Sequence, residues 1–312
     1  MRRKFIFYCP SQQKLAEQLF YYNPTNNLGV ISWREFPDSF PNLKVLKTYG
    51  LVDSDVVFLA DFSDAKEIFC QLAVIYALPS YSINSLKVIL PYFPTGTMDR
   101  ATEDGQVATA KTLARMLSVI PAAAQPAQII IFDIHSLQEQ FYFSDAVRVR
   151  CVSGINLLLS RLNQIWREDT DVAIAFPDEG AYKRFGGYFK KYHRIVCEKR
   201  RGKNDERLIT IKEGDPEGKR IFIVDDLIMS GSTILECAKV LDNFGATKVS
   251  AYASHGVFPE KSWTKFIDSH IDLYITNSCP QSVSKIDKAF IESGEITIFS
   301  LFSEIAGATN NN

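Results

Sequence analysis

Short runs of β-branched and aromatic residues alternate along this chain with longer stretches whose apolar residues recur at three- and four-residue steps. That rhythm is the signature of α/β units around mostly parallel sheets, and it restricts the fold more than any other feature. In the first half it predicts strands at Lys4 to Tyr8, Val56 to Ala60, Leu86 to Leu90 and Gln128 to Phe132, with helices at Ser63 to Ala77 and Val107 to Leu117. The second half repeats the scheme. Strands are expected at Val172 to Phe176, Arg220 to Val224, Lys248 to Ala253 and Leu273 to Thr276, and helices at Gly154 to Trp166 and Thr233 to Phe244.

With 312 residues, 46% of them hydrophobic, the chain is long enough for two cores. The two similar rhythms suggest a duplicated architecture without a residue-level repeat. A boundary near Arg150 gives a first domain of residues 1–150 and a second of 151–292. Residues 293–312, with a strand near Ile296 to Phe299, are expected to return and pack on the first domain, because the second already has its complement of strands. Ala122 to Pro126 reads as a turn within the first domain, and Asn310 to Asn312 as a frayed polar tail.

Charge and composition exclude several classes of function. The 35 basic and 36 acidic residues nearly cancel, which argues against a surface that coats nucleic acid or an anionic membrane. There is no apolar stretch of membrane-spanning length, and Met1-Arg2-Arg3-Lys4-Phe5 runs directly into a strand, so the chain reads as soluble and cytoplasmic. The six cysteines are scattered without a CxxC pair, which suits small buried hydrophobes better than a zinc site or disulfides.

The most informative stretch runs from Arg220 to Thr233: four apolar residues, Asp225 and Asp226, then Leu227-Ile228-Met229-Ser230-Gly231-Ser232-Thr233. A buried strand thus delivers two adjacent carboxylates at its C-terminal end, and a small, hydroxyl-rich loop opens a helix. Backbone N–H groups at a helix N-terminus, with the hydroxyls of Ser230, Ser232 and Thr233, suit a phosphate, and Asp225 and Asp226 sit where sugar hydroxyls would lie. An ordinary Ser/Thr helix cap explains Ser232 or Thr233 but not the paired acids. No GxxxxGK[ST] is present, so this is not a Walker loop.

The loop resembles the phosphoribosyl-diphosphate loop shared by type I phosphoribosyltransferases and ribose-phosphate diphosphokinases. Four further segments resemble the diphosphokinases specifically: Leu90-Pro91-Tyr92-Phe93-Pro94-Thr95-Gly96-Thr97-Met98-Asp99-Arg100, Phe132-Asp133-Ile134-His135-Ser136-Leu137-Gln138, Phe176-Pro177-Asp178-Glu179-Gly180-Ala181-Tyr182-Lys183-Arg184 and Glu198-Lys199-Arg200-Arg201. The resemblance implies two type I phosphoribosyltransferase-like domains. It also implies transfer of the β,γ-diphosphoryl group of ATP or another nucleoside triphosphate to the anomeric hydroxyl of ribose 5-phosphate, with Mg²⁺ as cofactor. The ribose 5-phosphate site is then Asp225, Asp226, Met229, Ser230, Gly231, Ser232 and Thr233. His135 and Asp178 are the metal-associated positions, His135 also facing the triphosphate, and a His two residues after Asp133 at a strand end is expected to point to the same side. Lys199 and Arg201 match the family's mobile catalytic loop, where cations neutralise charge during transfer.

Three departures from the more familiar diphosphokinases resemble the second class of the family, best known from plants. Thr97-Met98-Asp99-Arg100 lacks a first Arg, Met229 replaces a third loop acid, and Phe40 replaces a Glu. By that resemblance Phe36 stacks on the base, Asp38 accepts from an exocyclic amine, Arg100 lies near the phosphates, and the segment completes a neighbour's pocket in a homo-oligomer. Ser39 and Ser232 stand where this class usually has Gly, which matters if either backbone needs a positive φ. Two other readings compete. A phosphoribosyltransferase leaves His135, Asp178 and the first half without a role, and a catalytically silent regulatory subunit sits poorly with Lys199, Arg201, Asp225 and Asp226 all being present.

Overall fold

The computed structural model describes residues 2–165, 171–201 and 207–310, and the side chains of 199–201, 207 and 208 lie outside that description. The described chain divides into two compact units, Met1–Ser153 with Leu301–Asn312, and Gly154–Ser300.

The first unit is built on β1 (Lys4–Tyr8), β2 (Asn26–Leu28), β3 (Val30–Glu35), β4 (Pro41–Leu46), β5 (Asp55–Leu59), β6 (Ser85–Leu90), β7 (Gln128–Phe132) and β8 (Arg148–Val152). Its main sheet has the order β2-β1-β5-β6-β7-β8 with every pair parallel. Strands buried on both faces must be apolar throughout, and Ile129, Ile130, Ile131 and Phe132 are accordingly almost without solvent exposure. The helices are α1 (Gln13–Tyr22), α2 (Ala65–Ala77) and α3 (Thr109–Ser118). Leu72 and Ile75 of α2 and Leu113 and Leu117 of α3 pack on Phe58, Val88 and Ile129. Each such side chain contributes roughly 1.5–3 kcal/mol through burial. The start of α2 is set by Asp64, whose carboxylate accepts the N–H groups of Lys66 and Glu67. β3 and β4 form a separate antiparallel hairpin, with Val30 opposite Leu46 and Glu35 opposite Pro41.

The second unit holds α4 (Ile155–Ile165), β9 (Val172–Phe176), α5 (Glu179–Phe185), β10 (His193–Arg201), β11 (Arg207–Glu213), β12 (Arg220–Ile228), α6 (Ser232–Asn243), β13 (Lys248–Gly256), α7 (Thr264–Asp268), β14 (Asp272–Thr276), two short helices α8 (Pro280–Val283) and α9 (Lys288–Glu292), and β15 (Ile296–Phe299). The sheet order is β11-β10-β9-β12-β13-β14-β15, and only the β10–β11 pair is antiparallel. On one face Cys237 and Leu241 of α6 and Phe266 of α7 meet Ile221, Ile223 and Ala251. On the other, Leu158 and Leu162 of α4 and Phe185 of α5 meet Phe222, Val224 and Tyr252. The parallel strands of each main sheet, numbered within their own unit, follow the order 2-1-3-4-5-6, and in both units the antiparallel insertion falls between the second and third of them. The duplication absent at residue level is present in the topology.

Several expectations need correction. β15 does not return to the first unit: Leu273 to Thr276 pair with Ile296 to Phe299, because the open edge of β14 offers ladder hydrogen bonds and Ile296 is wholly buried against it. Within the 293–312 segment, the first unit receives only Leu301–Asn312, whose helix α10 (Phe302–Asn310) ends under Lys4 and Lys87, both donating to the Thr309 carbonyl. Asn310 is therefore the last residue of a helix, its Oδ1 accepting from Lys4 Nζ at 3.0 Å, while Asn311 and Asn312 of the expected tail lie outside the described residues. Arg150 lies inside β8, paired with Ile130, so the division between units falls after Ser153. Trp166, expected to end a helix, is outside the described residues. All six cysteines are free thiols, with Cys197 and Cys237 packed Sγ to Sγ at 3.4 Å. Among the described residues, no helix is long and apolar enough to cross a membrane.

Candidate active site

In the second unit the order 2-1-3 makes β9 and β12 neighbours whose chains leave in opposite directions, and ligands of open α/β sheets bind at the carboxyl ends of such a pair. β9 ends in Phe176, and Asp178 follows as the N-cap of α5, its Oδ1 accepting the Ala181 N–H at 3.0 Å. β12 is longer than its apolar run predicts. It pairs with β13 as far as Ile228 opposite Gly256, so Asp225 and Asp226 lie within the strand and point to opposite faces. Asp226 is buried, its N–H donating to Asp225 Oδ1 at 2.9 Å. Burial is the first cause that pushes the Asp225 carboxyl well above the usual range, followed by the charges of Asp226 and Asp178. The carboxyl ends of β9 and β12 therefore bring Asp178 and Asp225 within electrostatic reach of each other.

After Ile228 the chain turns through Met229, Ser230 and Gly231 into α6. Gly231 has φ +79°, and a Cβ there would meet the Phe266 ring at 2.7 Å, so glycine is required by conformation and by space. Ser232 opens the helix in ordinary right-handed geometry, which removes the concern that it occupies a glycine position: the left-handed residue is Gly231. Ser230 and Ser232 hydroxyls lie 3.1 Å apart at the helix N-terminus, and Met229 is exposed at the rim.

In the first unit the strand alternation expected to place Asp133 and His135 on one side breaks. Asp133 adopts φ +37° and is buried, accepting from Ser153 Oγ at 2.5 Å. The turn sends Ile134 into the core and leaves His135 exposed. Gly96 packs against it, since a Cβ at that position would stand 2.9 Å from His135 Cβ. The Phe93 to Thr97 loop after β6 and the His135 loop after β7 are thus one structural piece. Arg100 follows that loop and is exposed, 3.9 Å from Asp99.

The two antiparallel insertions carry the remaining candidates. At the tip of the β3–β4 hairpin the residues Phe36 and Phe40 are 51% and 65% exposed, so Phe36 is not a core aromatic. Asp38 Oδ1 accepts the Phe40 N–H at 3.1 Å, and Ser39 sits at φ +67°, where the class-two Gly would be unstrained. In the second unit the backbone of Lys199 to Arg201 pairs with Ile209 to Arg207, while their side chains lie outside the described residues. Lys212 of β11 and Glu179 of α5 form an ion pair, tying that hairpin to the Asp178 loop.

Sequence reasoning missed Ser262, Lys265 and Phe266. Ser262 Oγ donates to the Met229 carbonyl at 2.9 Å, and Lys265 Nζ to that of Ser230 at 3.4 Å. No local sequence pattern marks them, since these contacts join residues 33 and 35 positions apart. Among the described residues, no cluster of three or more His, Cys, Asp and Glu side chains forms a ready metal cage.

Residues 5–120 match a family model described as the N-terminal domain of ribose phosphate pyrophosphokinase, and residues 199–308 one described as a phosphoribosyl synthetase-associated domain. The chain is 46% identical over 312 residues to the chloroplastic ribose-phosphate pyrophosphokinase 3 of Oryza sativa subsp. japonica, covering 97% of this chain and 75% of that protein. It is 47% identical over 290 residues to the mitochondrial pyrophosphokinase 3 of Spinacia oleracea, covering 90% and 71%. Ribose-phosphate pyrophosphokinase 4 of the same rice is 45% identical, with 97% and 94% covered. The crystal structure of phosphoribosylpyrophosphate synthetase from Mycobacterium smegmatis superposes with a TM-score of 0.83 at 20% identity, covering 99% of this chain and 98% of that one, which establishes the common fold.

Proposed function

The chain belongs to the ribose-phosphate pyrophosphokinase family, and from that membership we propose how its residues divide the work of diphosphoryl transfer. The enzyme moves the β,γ-diphosphoryl group of ATP onto ribose 5-phosphate. The anomeric oxygen of the sugar attacks the β-phosphorus, the bond from that phosphorus to the bridging α,β oxygen breaks, and AMP leaves. The observation that carries the assignment is the pair of acids at the carboxyl end of β12, set against Asp178 and followed directly by a hydroxyl-lined helix N-terminus.

In this reading the amides and hydroxyls of Ser230 to Thr233 take the 5-phosphate, and Asp225 and Asp226 hold the ribose hydroxyls. A sugar hydroxyl donating to Asp225 relieves part of the repulsion stored there, so binding and orientation are coupled. Phe36 stacks on the nucleobase, Asp38 meets its exocyclic amine, and Arg100 and His135 face the triphosphate. The exposure of the Phe36 ring supports a stacking role. Lys199 and Arg201 supply cations for the charge that moves to the leaving α-phosphate oxygen.

Mg²⁺ fits this donor set. It keeps several waters and accepts one or two protein ligands alongside substrate phosphates, so no cage is needed: the Asp178 carboxylate would be the candidate oxygen donor of the second unit and His135 the candidate nitrogen donor of the first. The repulsion between Asp178 and Asp225 is of the kind a divalent cation reverses. When bound there, such an ion would supply neutralisation of phosphate charge. We further propose a homo-oligomer in which the exposed hairpin tip completes a neighbour's pocket; a monodisperse, fully active monomer in sedimentation would refute this. A cytoplasmic location is also proposed, although the rice and spinach relatives are named chloroplastic and mitochondrial, and cell fractionation decides it.

The decisive assay supplies ribose 5-phosphate, ATP and Mg²⁺ to the purified protein and follows phosphorus resonances. AMP and a sugar diphosphate should appear together in equal amounts. Release of ADP would mean attack at the γ-phosphorus and would overturn the reaction assigned here.

A further inference from the structure

The loop between β12 and α6 is short, polar and exposed at Met229 and Ser230, yet its peptide planes are held individually from behind. In a trans peptide the carbonyl of one residue and the N–H of the next point in opposite directions, so fixing the oxygen aims the hydrogen. The Met229 carbonyl accepts from Ser262 Oγ at 2.9 Å, that of Ser230 from Lys265 Nζ at 3.4 Å, and that of Gly231 from the Leu235 N–H at 3.0 Å. Three successive carbonyls are thereby drawn back, and the N–H groups of Ser230, Gly231 and Ser232 are turned the other way, beside the helix N-terminus.

The segment that supplies the first two donors is itself unusual. Phe258, Glu260 and Lys261 have φ values of +47°, +53° and +59°, three left-handed non-glycine residues within four positions. Such conformations persist only where surrounding structure imposes them. Here the imposition comes from aromatic anchors: Phe258, Trp263 and Phe266 are all buried in the second unit's core, with the Phe258 and Phe266 rings edge to face at 6.4 Å. The strained turn places Ser262, also buried, under the loop, and the Phe266 ring fills the space a side chain at Gly231 would need.

We propose that Ser262 and Lys265 are positioning residues for the sugar 5-phosphate, setting the direction of the loop amides that bind it. The proposal rests on assigning the loop to ribose 5-phosphate, and adds that its affinity is set by a second segment that never touches the sugar. The anchors fix this segment in the core, so the aim of the amides exists before substrate arrives, and binding loses little in ordering the loop.

The test is steady-state kinetics of AMP release with the full chain, for Ser262→Ala, Ser262→Thr, Lys265→Met and, as a control on the loop itself, Thr233→Ala. Losing one hydrogen bond of this kind should raise the KM for ribose 5-phosphate about three- to tenfold in Ser262→Ala, leaving kcat and the KM for ATP within about twofold. Ser262→Thr retains the hydroxyl and should restore the KM. Lys265→Met, at an exposed position with a longer contact, should give roughly a two- to threefold rise in the same constant and keep the parent melting temperature. An unchanged ribose 5-phosphate KM in both Ser262→Ala and Lys265→Met, or an equal rise in both substrates' KM, would overturn the positioning role. If Thr233→Ala leaves the sugar KM unaltered while AMP release continues, the loop assignment fails instead, and the proposal falls with it.

Discussion

In the first unit the loops that follow β1 and β5 close on each other. Ser11 Oγ donates to Asp61 Oδ2 at 2.7 Å, the Ser63 N–H to Asp61 Oδ1 at 3.1 Å, and buried Gln71 accepts the Asp61 N–H while donating to its carbonyl. In the second unit the equivalent loops, after β9 and β12, bring Asp178 toward Asp225 and Asp226, and the charges oppose one another. One strand order thus yields two crevices of the same kind, of which one is filled by its own hydrogen bonds and the other gathers three carboxylates. Hydrogen-bonded closure stabilises the first crevice, whereas in the second burial and the neighbouring charges of Asp226 and Asp178 hold the Asp225 carboxyl well above the usual range. Candidate residues in the first unit accordingly lie elsewhere, on the loops after β6 and β7 and on the β3–β4 hairpin.

The largest expected effect separates the two antiparallel insertions. Replacing Lys199 or Arg201 by Ala should lower kcat about 10²- to 10³-fold, as loss of a transition-state charge donor does, with ground-state binding of ribose 5-phosphate barely altered. Arg201→Lys should remain clearly impaired, because the planar fork is lost. Near-normal kcat in both alanine variants would reduce that hairpin to a solvated turn.

Next is the charged crevice itself. Asp225→Asn should lower kcat/KM for the sugar by about 10- to 100-fold, the range for a hydrogen bond to a charged group. Its stability should move the other way. The folded-state pKa of Asp225 is raised, so its stabilising contribution is complete below the ordinary Asp range and is lost as pH rises from there through the raised value. Without substrate, Asp225→Asn should therefore melt higher than the parent at neutral pH, with the difference vanishing in acid. Calorimetry across pH that found the parent more stable at every pH would remove the charge contrast between the crevices.

Phe36→Ala tests the first unit's insertion. It should raise the KM for the nucleoside triphosphate about two- to tenfold, the value of one aromatic contact, with the KM for ribose 5-phosphate unchanged. A rise in the sugar KM alone would detach the hairpin tip from the base.

The smallest effect on activity is expected at the filled crevice. Asp61→Ala should cost roughly 1.5–3 kcal/mol of stability by removing charge-assisted hydrogen bonds, while the folded enzyme keeps its kcat and both KM values. A selective rise in either KM would mean that the first crevice also binds substrate, and the contrast would collapse.

What could be read from sequence was whatever depends on neighbours along the chain. The apolar runs predict the parallel strands, since a strand covered on both faces admits little else, and the paired acids before Ser230 to Thr233 single out the β12–α6 turn, although pairing with β13 carries the strand past them to Ile228. The plant-type branch was legible in Thr97, Met229 and Phe40, and the relatives from rice and spinach agree. Features decided between distant segments were not legible. β15 pairs with β14 because an open edge in the same unit satisfies its backbone, and no pattern in Ile296 to Phe299 records which edge that is. Asp133 leaves the strand alternation because Ser153, on the chain after β8, holds its carboxylate inside the unit. Phe36 stands exposed where its hydrophobicity is equally suited to a core, since the hairpin tip has nothing to pack it against within its unit. Ser262 and Lys265 reach the β12–α6 loop from more than thirty residues away. Those contacts exist because buried aromatics hold a strained turn in place, and burial of that kind is a property of the folded core and of no local sequence.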